Sequence, residues 1–316
     1  MKMKNIFVAA NVSLVLLLLA ACGALKPTST PVPAQPTEIP PATGVEYYFV
    51  TNKLLLPTTQ EQTQTFALNV DGDSQQSSDN KFGNLLTLLT SASPDLELQS
   101  PLDQAVNTGL LVSLHKIKAN ELLNDSSVSW SIFLGQKTQV PPVFDGSDTF
   151  TLDSAVPANA PIVGSLTNGH FTGGPGMVRV QMFLLGQSID VNLIGVRLET
   201  DFSAQGCVNG KLGGGVTVDE FRSKFLPAIT AGLNQIIKAN KTASNNLLQT
   251  FDADQDGIIT IQELENNPLL MIAVSPDLDL LDASGTFNPN QDGVKDSYSV
   301  GLGFTCVAAA FTAPEN

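Results

Sequence analysis

The chain has 316 residues, with 30 acidic against 16 basic side chains and a formal net charge of −14. So acidic a chain is repelled by nucleic acid and by anionic membrane surfaces, which excludes both as expected partners and favours cation binding and solubility outside the cell. Hydrophobic residues make up 42% of it, enough for a sizeable core.

At the N-terminus, Lys2 and Lys4 precede a hydrophobic run from Ile6 to Ala21 that ends in Leu19-Ala20-Ala21-Cys22. The run contains Asn11 and Ser13 and is shorter than the roughly 20 apolar residues a spanning helix needs. It resembles the signal and lipobox of bacterial lipoproteins. That resemblance implies cleavage before Cys22 and lipidation of its sulfur with palmitate-type chains, two of which anchor a protein stably. Gly23 stands where an inner-membrane retention signal would carry aspartate, so display at the outer membrane or cell surface is expected. The expected location is extracytoplasmic, with the membrane as one partner, through Cys22, and an unknown extracellular ligand or protein as another.

Gly23 to Gly44 carries six prolines with Thr and Ser and hardly any large apolar side chain. It reads as a spacer, either disordered or a glycosylated stalk, and in polyproline II form it would extend by about 3.1 Å per residue. The organisation expected is therefore a signal over 1–21, a lipidated tether over 22–44 and a strand-rich domain over 45–313.

Within that domain, Asn69-Val70-Asp71-Gly72-Asp73 running to Asp79-Asn80 is a candidate cation-binding turn, with Asp71, Asp73 and Asp79 as ligands. Leu110 to Ile117 reads as a strand carrying His115. Val128, Trp130, Ile132 and Leu134 alternate with polar residues and predict a second strand with one face inward. His170 lies in a glycine-rich turn region. Val178, Val180, Met182 and Leu184, a turn near Gly186 and Gln187, then Ile189, Val191 and Leu193 predict a hairpin. The glycine-rich stretch around Gly210 and Lys211 reads as a flexible turn. Its spacing is too short for a phosphate loop, and Leu212 stands where Ser or Thr would hold magnesium. Thr217-Val218-Asp219-Glu220 has the form of a capping box, and Phe221, Phe225, Ile229, Leu233 and Ile236 follow at helical spacing, with Pro227 expected to kink or split the helix.

The most specific pattern is Phe251 to Glu263, FDADQDGIITIQE. Carboxylates at Asp252, Asp254 and Asp256, the Ile258 carbonyl, Thr260 and a closing Glu263 fill the ligand positions of a 12-residue EF-hand calcium loop, and Gly257 stands at its sharp turn. Ile259 is the inward apolar residue. The cofactor expected is calcium. A segment beginning 36 residues later echoes the loop, with Asn288, Asn290, Asp292 and Asp296 as candidate ligands of a second cation. Lys295 at the apolar eighth position and Ser299 in place of the closing glutamate argue for a turn feeding a strand over a paired EF-hand. The first loop is then solitary, or its Ile259 edge pairs with another segment.

Tyr298, Val300, Leu302, Phe304 and Cys306 alternate with small polar residues and predict the last strand. Once Cys22 is lipidated, Cys207 and Cys306 remain as an even pair in an exported domain. They are expected to form a disulfide, the alternative being two buried free thiols. Strands at both ends and helices concentrated over 217–267 predict an α+β domain: an antiparallel β-sandwich or barrel-like body with a helical EF-hand insert before the last strand. The whole resembles exported bacterial lipoproteins that combine a signal, a strand-rich body and one EF-hand. It implies a membrane-anchored calcium-binding protein in which the ion braces a structural, adhesive or ligand-binding domain. The alternative is a secreted hydrolase stabilised by calcium, although no nucleophile elbow, HExxH helix or selected carboxylate pair supports one.

Overall fold

The structure is a computed structural model that describes residues 43–73, 78–153, 160–203, 205–239 and 241–312. The signal, Cys22 and nearly all of the tether lie outside the described residues.

Eight antiparallel strands close into a barrel. Its first strand, β1 (Val45–Leu55), is followed by α1 (Gln60–Thr65), α2 (Lys81–Ala92) and α3 (Gln99–Asn107), after which the chain returns to the sheet as β2 (Ser113–Ala119) and β3 (Asp125–Leu134). Next come β4 (Thr149–Thr151), then β5 (Ile162–Thr167), β6 (His170–Leu184), β7 (Gln187–Ser203) and β8 (Gly206–Thr217). The helical insert holds α4 (Val218–Glu220), α5 (Leu226–Ala239), α6 (Lys241–Phe251), α7 (Ile261–Asn266) and α8 (Pro268–Ala273). The chain ends in β9 (Ser297–Ala308) and β10 (Ala310–Thr312). The barrel order is β1-β2-β3-β5-β6-β7-β8-β9, with β9 pairing back onto β1, while β4 and β10 form a short parallel pair.

The alternation legible in the sequence sets the barrel's inside. Val128 and Trp130 on β3, Val178 and Met182 on β6, Val191 and Leu193 on β7, and Val300, Leu302 and Phe304 on β9 are buried in one cluster. Arg179, Gln181, Asp190 and Asn192 take the alternate positions of the hairpin and point away from that cluster. This arrangement, apolar inside and polar outside, is the reverse of a lipid-facing barrel. The hairpin turns at Leu185 and Gly186, both at positive φ, and Leu185 is buried against Gly232 of α5.

His115 sits among these apolar residues, 3% exposed. Its Nδ1 lies 3.1 Å from Trp130 Nε1 and its Nε2 lies 2.7 Å from Thr51 Oγ1. An indole N–H can only donate, so Nδ1 accepts and the imidazole proton resides on Nε2, which donates to the threonine. Burial pushes this imidazole down to about 3, so the ring is neutral, stacked on Phe304 with an interplanar angle of 13°.

Two expectations need correction, and one open alternative is decided. Helices are not confined to 217–267, because α1–α3 lie between β1 and β2. Asn80 caps α2, its Oδ1 accepting the Gly83 N–H at 3.1 Å, and Leu85, Leu86 and Leu89 bury its inner face. The glycine-rich stretch 206–215 is not a flexible turn but β8. The small residues of β8 and β9 let other segments lie directly on the sheet: a Cβ at Gly301 would stand 2.5 Å from the Phe66 carbonyl oxygen. Between the sandwich and the barrel, the β1–β9 ladder decides for the barrel.

Pro227 does split the predicted helix. A π-helical turn over Phe221–Phe225 separates α4 from α5, and the Leu226 N–H reaches back to the Phe221 carbonyl, so the widened turn absorbs the N–H that proline lacks. Thr217 caps α4 through the Glu220 N–H, but the Glu220 carboxylate turns to Asn192 and Lys224 and leaves the capping box half formed. Cys207 and Cys306 are directly opposite on β8 and β9 and form a disulfide, with Cα atoms 4.8 Å apart.

Candidate metal centre

Helix α6 delivers the acidic loop. Leu247 and Phe251 on its inner face, with Ile259 and Leu264 beyond the loop, are each at most 1% exposed and belong to the barrel's core cluster. The loop between them is thus held at both ends by buried side chains. Asp252, Asp254 and Asp256 each place a carboxylate oxygen within 4.8 Å of the others, the one such convergence of acidic, cysteine or histidine side chains among the described residues.

Local hydrogen bonds shape this cluster. Asp252 Oδ2 accepts the Gly257 N–H at 2.9 Å, Asp254 Oδ1 accepts from Asp256 N at 3.1 Å, and Asp256 Oδ1 accepts from Ile258 N at 2.8 Å. Each carboxylate thereby takes an N–H that the tight loop would leave unpaired. Gly257 has φ +88°, a conformation glycine adopts without penalty. Asp252 is 9% exposed, and its second oxygen, Oδ1, is buried with no hydrogen-bond partner.

A buried anionic oxygen without a donor is costly, about 1–3 kcal/mol or more, so a cation is the natural partner for it. The donor set fits calcium, which takes six to eight oxygens from carboxylates, carbonyls and hydroxyls. Electrostatics point the same way. The Asp256 N–H that Asp254 accepts lowers its carboxyl, yet partial desolvation and the carboxylates of Asp256, Glu263 and Asp252 together raise it above its ordinary value.

Glu263 stays apart from the three aspartates. Its Oε2 accepts from Thr260 N at 2.8 Å and from Thr260 Oγ1 at 2.9 Å, completing a capping box at the start of α7. Its Oε1 accepts from Ala253 N at 2.7 Å and more weakly from Asp254 N at 3.3 Å. These donors, the Thr260 N–H foremost, hold its carboxyl below the usual range. Glu263 therefore ties position 12 of the loop to positions 2, 3 and 9, where calcium would find it.

Ile259 pairs with a side chain. Asn234 of α5 donates Nδ2 to the Ile259 carbonyl at 2.6 Å and accepts the Ile259 N–H on Oδ1 at 2.9 Å. One amide thus supplies both bonds that a neighbouring strand would make. Nothing local marks Asn234 in the sequence, since it stands 25 residues before Ile259 on an ordinary amphipathic helix.

The two weaker candidate segments converge. Asn290 Nδ2 donates to the Asp71 carbonyl at 2.7 Å, and Lys295 Nζ lies 3.7 Å from Asp71 Oδ2. Asp71 Oδ1 accepts the Asp73 N–H at 2.9 Å. Asp79 accepts the Val70 N–H at 2.9 Å, yet burial, aided by Asp71 and Asp277, pushes its carboxyl up to about 6. Asp296 has both oxygens engaged, by Leu280 N, Leu281 N and the Ser297 hydroxyl, and so pins the bend before β9. Asn288 contributes its backbone N–H to the Leu280 carbonyl. The segment 287–296 is a turn feeding β9, and among the described residues no second helix pair surrounds it.

The two histidines lie in different settings. His115 is sealed in the barrel, and exposed His170 pairs with Asp201 at 2.7 Å across β6 and β7. A groove of about 650 Å³ crosses β5–β7, lined by Gly164, Gly173, Gly174, Arg197 and Glu199 among others, and among the described residues Glu199 is the one carboxylate lining it. Among the described residues no helix is long and apolar enough to cross a membrane. Neither family models, nor curated proteins, nor solved structures include a match to this chain.

Proposed function

We propose that the chain is an extracytoplasmic lipoprotein, anchored through Cys22, whose Asp252–Glu263 loop binds calcium and uses it to brace the helical insert against a structural, adhesive or ligand-binding barrel. The observation that carries the metal is the buried, unpartnered Asp252 Oδ1 within a group of three converging carboxylates. The brace follows from connectivity. Loop geometry passes through the Ile259–Asn234 bonds to α5, and α5 rests on the hairpin tip at Leu185. Anchoring rests on the Leu-Ala-Ala-Cys pattern and the proline-rich spacer before β1.

Extracellular modules bind calcium with dissociation constants of about 10⁻⁴ to 10⁻³ M, so the ion acts as a standing ligand of the fold more than as a signal. At a hundredfold excess over such a constant, binding adds about 2.7 kcal/mol to stability. For a domain of this size that raises the melting temperature by about 5–10 °C. Calorimetry of the purified chain with EDTA and with 10 mM calcium tests it. Asp252→Asn and Glu263→Gln should each abolish or sharply reduce the rise, and a melting temperature indifferent to calcium refutes the proposal.

A further inference from the structure

The turn before β9 repeats the chemistry of the first loop with one ligand brought from elsewhere. In the first loop, the Gly257 N–H is held by Asp252 Oδ2 at 2.9 Å, and Asp252 Oδ1 is left buried without a partner. In the second, the Gly293 N–H is held at 2.8 Å by Asp279 Oδ2, and Asp279 Oδ1 is likewise buried without a partner. Asp279 is 2% exposed. Both glycines have positive φ, +88° and +73°. Before each stands an aspartate that accepts the N–H two residues on: Asp256 from Ile258 at 2.8 Å, Asp292 from Val294 at 2.9 Å.

Sequence alignment of the two loops puts Asn288 in the place of Asp252. The fold puts Asp279 there. The segment around it is laced to the turn: the Asp279 carbonyl accepts the Asn290 N–H at 3.0 Å and the Leu280 carbonyl accepts the Asn288 N–H at 2.9 Å. Asp296 holds the same segment from the other side, through the Leu280 and Leu281 N–H groups. The Asp279 carboxylate is thus fixed against residues 290–293 with one oxygen committed and one free for a ligand.

We infer that this turn is a second divalent-cation site, taking calcium on Asp279 Oδ1 as its buried anchor, with the Asp292 carboxylate and the Asn290 amide oxygen as further ligands. Asp71 is outside the set because Lys295 already pairs with it, and Asp296 because its carboxylate is directed at the Leu280 and Leu281 N–H groups and the Ser297 hydroxyl. Two carboxylates instead of the four of the first loop make it the weaker of the two sites, since affinity in such loops follows ligand charge. The bound ion ties the 278–281 segment to the 290–293 turn. Asn290 extends that tie to the Asp71 backbone, and so to the chain that lies over β8 and β9.

Isothermal titration of the chelator-stripped full chain with calcium chloride tests this independently of the first loop. The wild type should bind two ions per chain, Asp252→Asn should keep the weaker one, and Asp279→Asn should keep the stronger one. Because Asp279 is buried, its replacement can disturb folding, so exposed Asp292→Asn serves as the second variant and should weaken the second site at least tenfold. One ion that survives Asp252→Asn but is lost in Asp292→Asn upholds this site and overturns the first. The inference is overturned if no ion binds, if a single ion binds and Asp292→Asn keeps it, or if two bind and Asp292→Asn leaves both unchanged.

Discussion

His115 offers the most quantitative test of the fold. Its imidazole is held near 3 by burial, against 6.5 when exposed. Between those two values the unfolded chain binds a proton that the folded barrel refuses, so stability falls as pH falls, starting near 6.5 and levelling off near 3. The slope for one such group is about 1.4 kcal/mol per pH unit, so acidification from pH 7 to 4.5 removes about 2.5 kcal/mol. Other groups titrate in the same window. Asp79, raised to about 6, takes up a proton more readily folded than unfolded and works in the opposite sense. The control is therefore His115→Gln, which offers an acceptor and a donor of similar reach to Trp130 and Thr51 but does not titrate. Urea unfolding of both proteins at pH 7, 5.5 and 4.5 in EDTA gives two stability curves. Their difference isolates the histidine. Wild type should lose about 2.5 kcal/mol more than the variant between pH 7 and 4.5. Curves that run parallel within experimental scatter would show that the imidazole is not sealed in the barrel, and the assignment of its tautomer would fail with it.

Two further outcomes are expected. Opening the Cys207–Cys306 disulfide, by reduction or by the double change to serine, should lower unfolding stability by up to about 4.7 kcal/mol, because it closes a loop of sequence separation 99; urea midpoints of the oxidised and reduced chain measure this, and identical midpoints would contradict it. Asn234→Ala leaves the Ile259 N–H and carbonyl without partners and should cost about 2–3 kcal/mol of apparent stability together with weaker calcium binding. Asn234→Asp keeps the acceptor for the Ile259 N–H but sets a carboxylate oxygen against the Ile259 carbonyl, and should cost at least as much. Titration of calcium into both variants checks the order.

Period-two patterns made the barrel legible wherever one face was apolar and the other polar, as in 178–193 and 298–306. The convergence of Asp252, Asp254 and Asp256 was legible because the three lie within five residues of one another. What escaped shares a physical cause: the information was not local. The glycines of 210–215 have no side chains from which a period could be read, and the side chains that pack on them, Leu68 on Gly213 and Leu280 on Gly215, come from distant parts of the chain. Helix α2 carries its cap, Asn80, inside an acidic stretch that draws attention to cations. Asp279 alternates with leucines as any short strand would, and its role depends on a turn fourteen residues further on. The same holds for Asn234, whose partner lies beyond a whole helix.

The insert has one more consequence through its ends. Thr217 and Ser297 are cross-strand partners in the β8–β9 ladder, and Cys207 and Cys306 lock the same pair of strands further along. Seen from the barrel, everything from Val218 to Asp296 is an enlarged hairpin loop. The entropy of closing such a loop grows only with the logarithm of its length, about 0.6 kcal/mol per doubling. A barrel with this register could therefore vary the length of this excursion in evolution without any strand changing its neighbours. What ties the excursion to the barrel is burial instead: Phe225, Ile229, Leu233 and Leu264 belong to the barrel's core cluster, and Leu280 packs on Gly215 of β8.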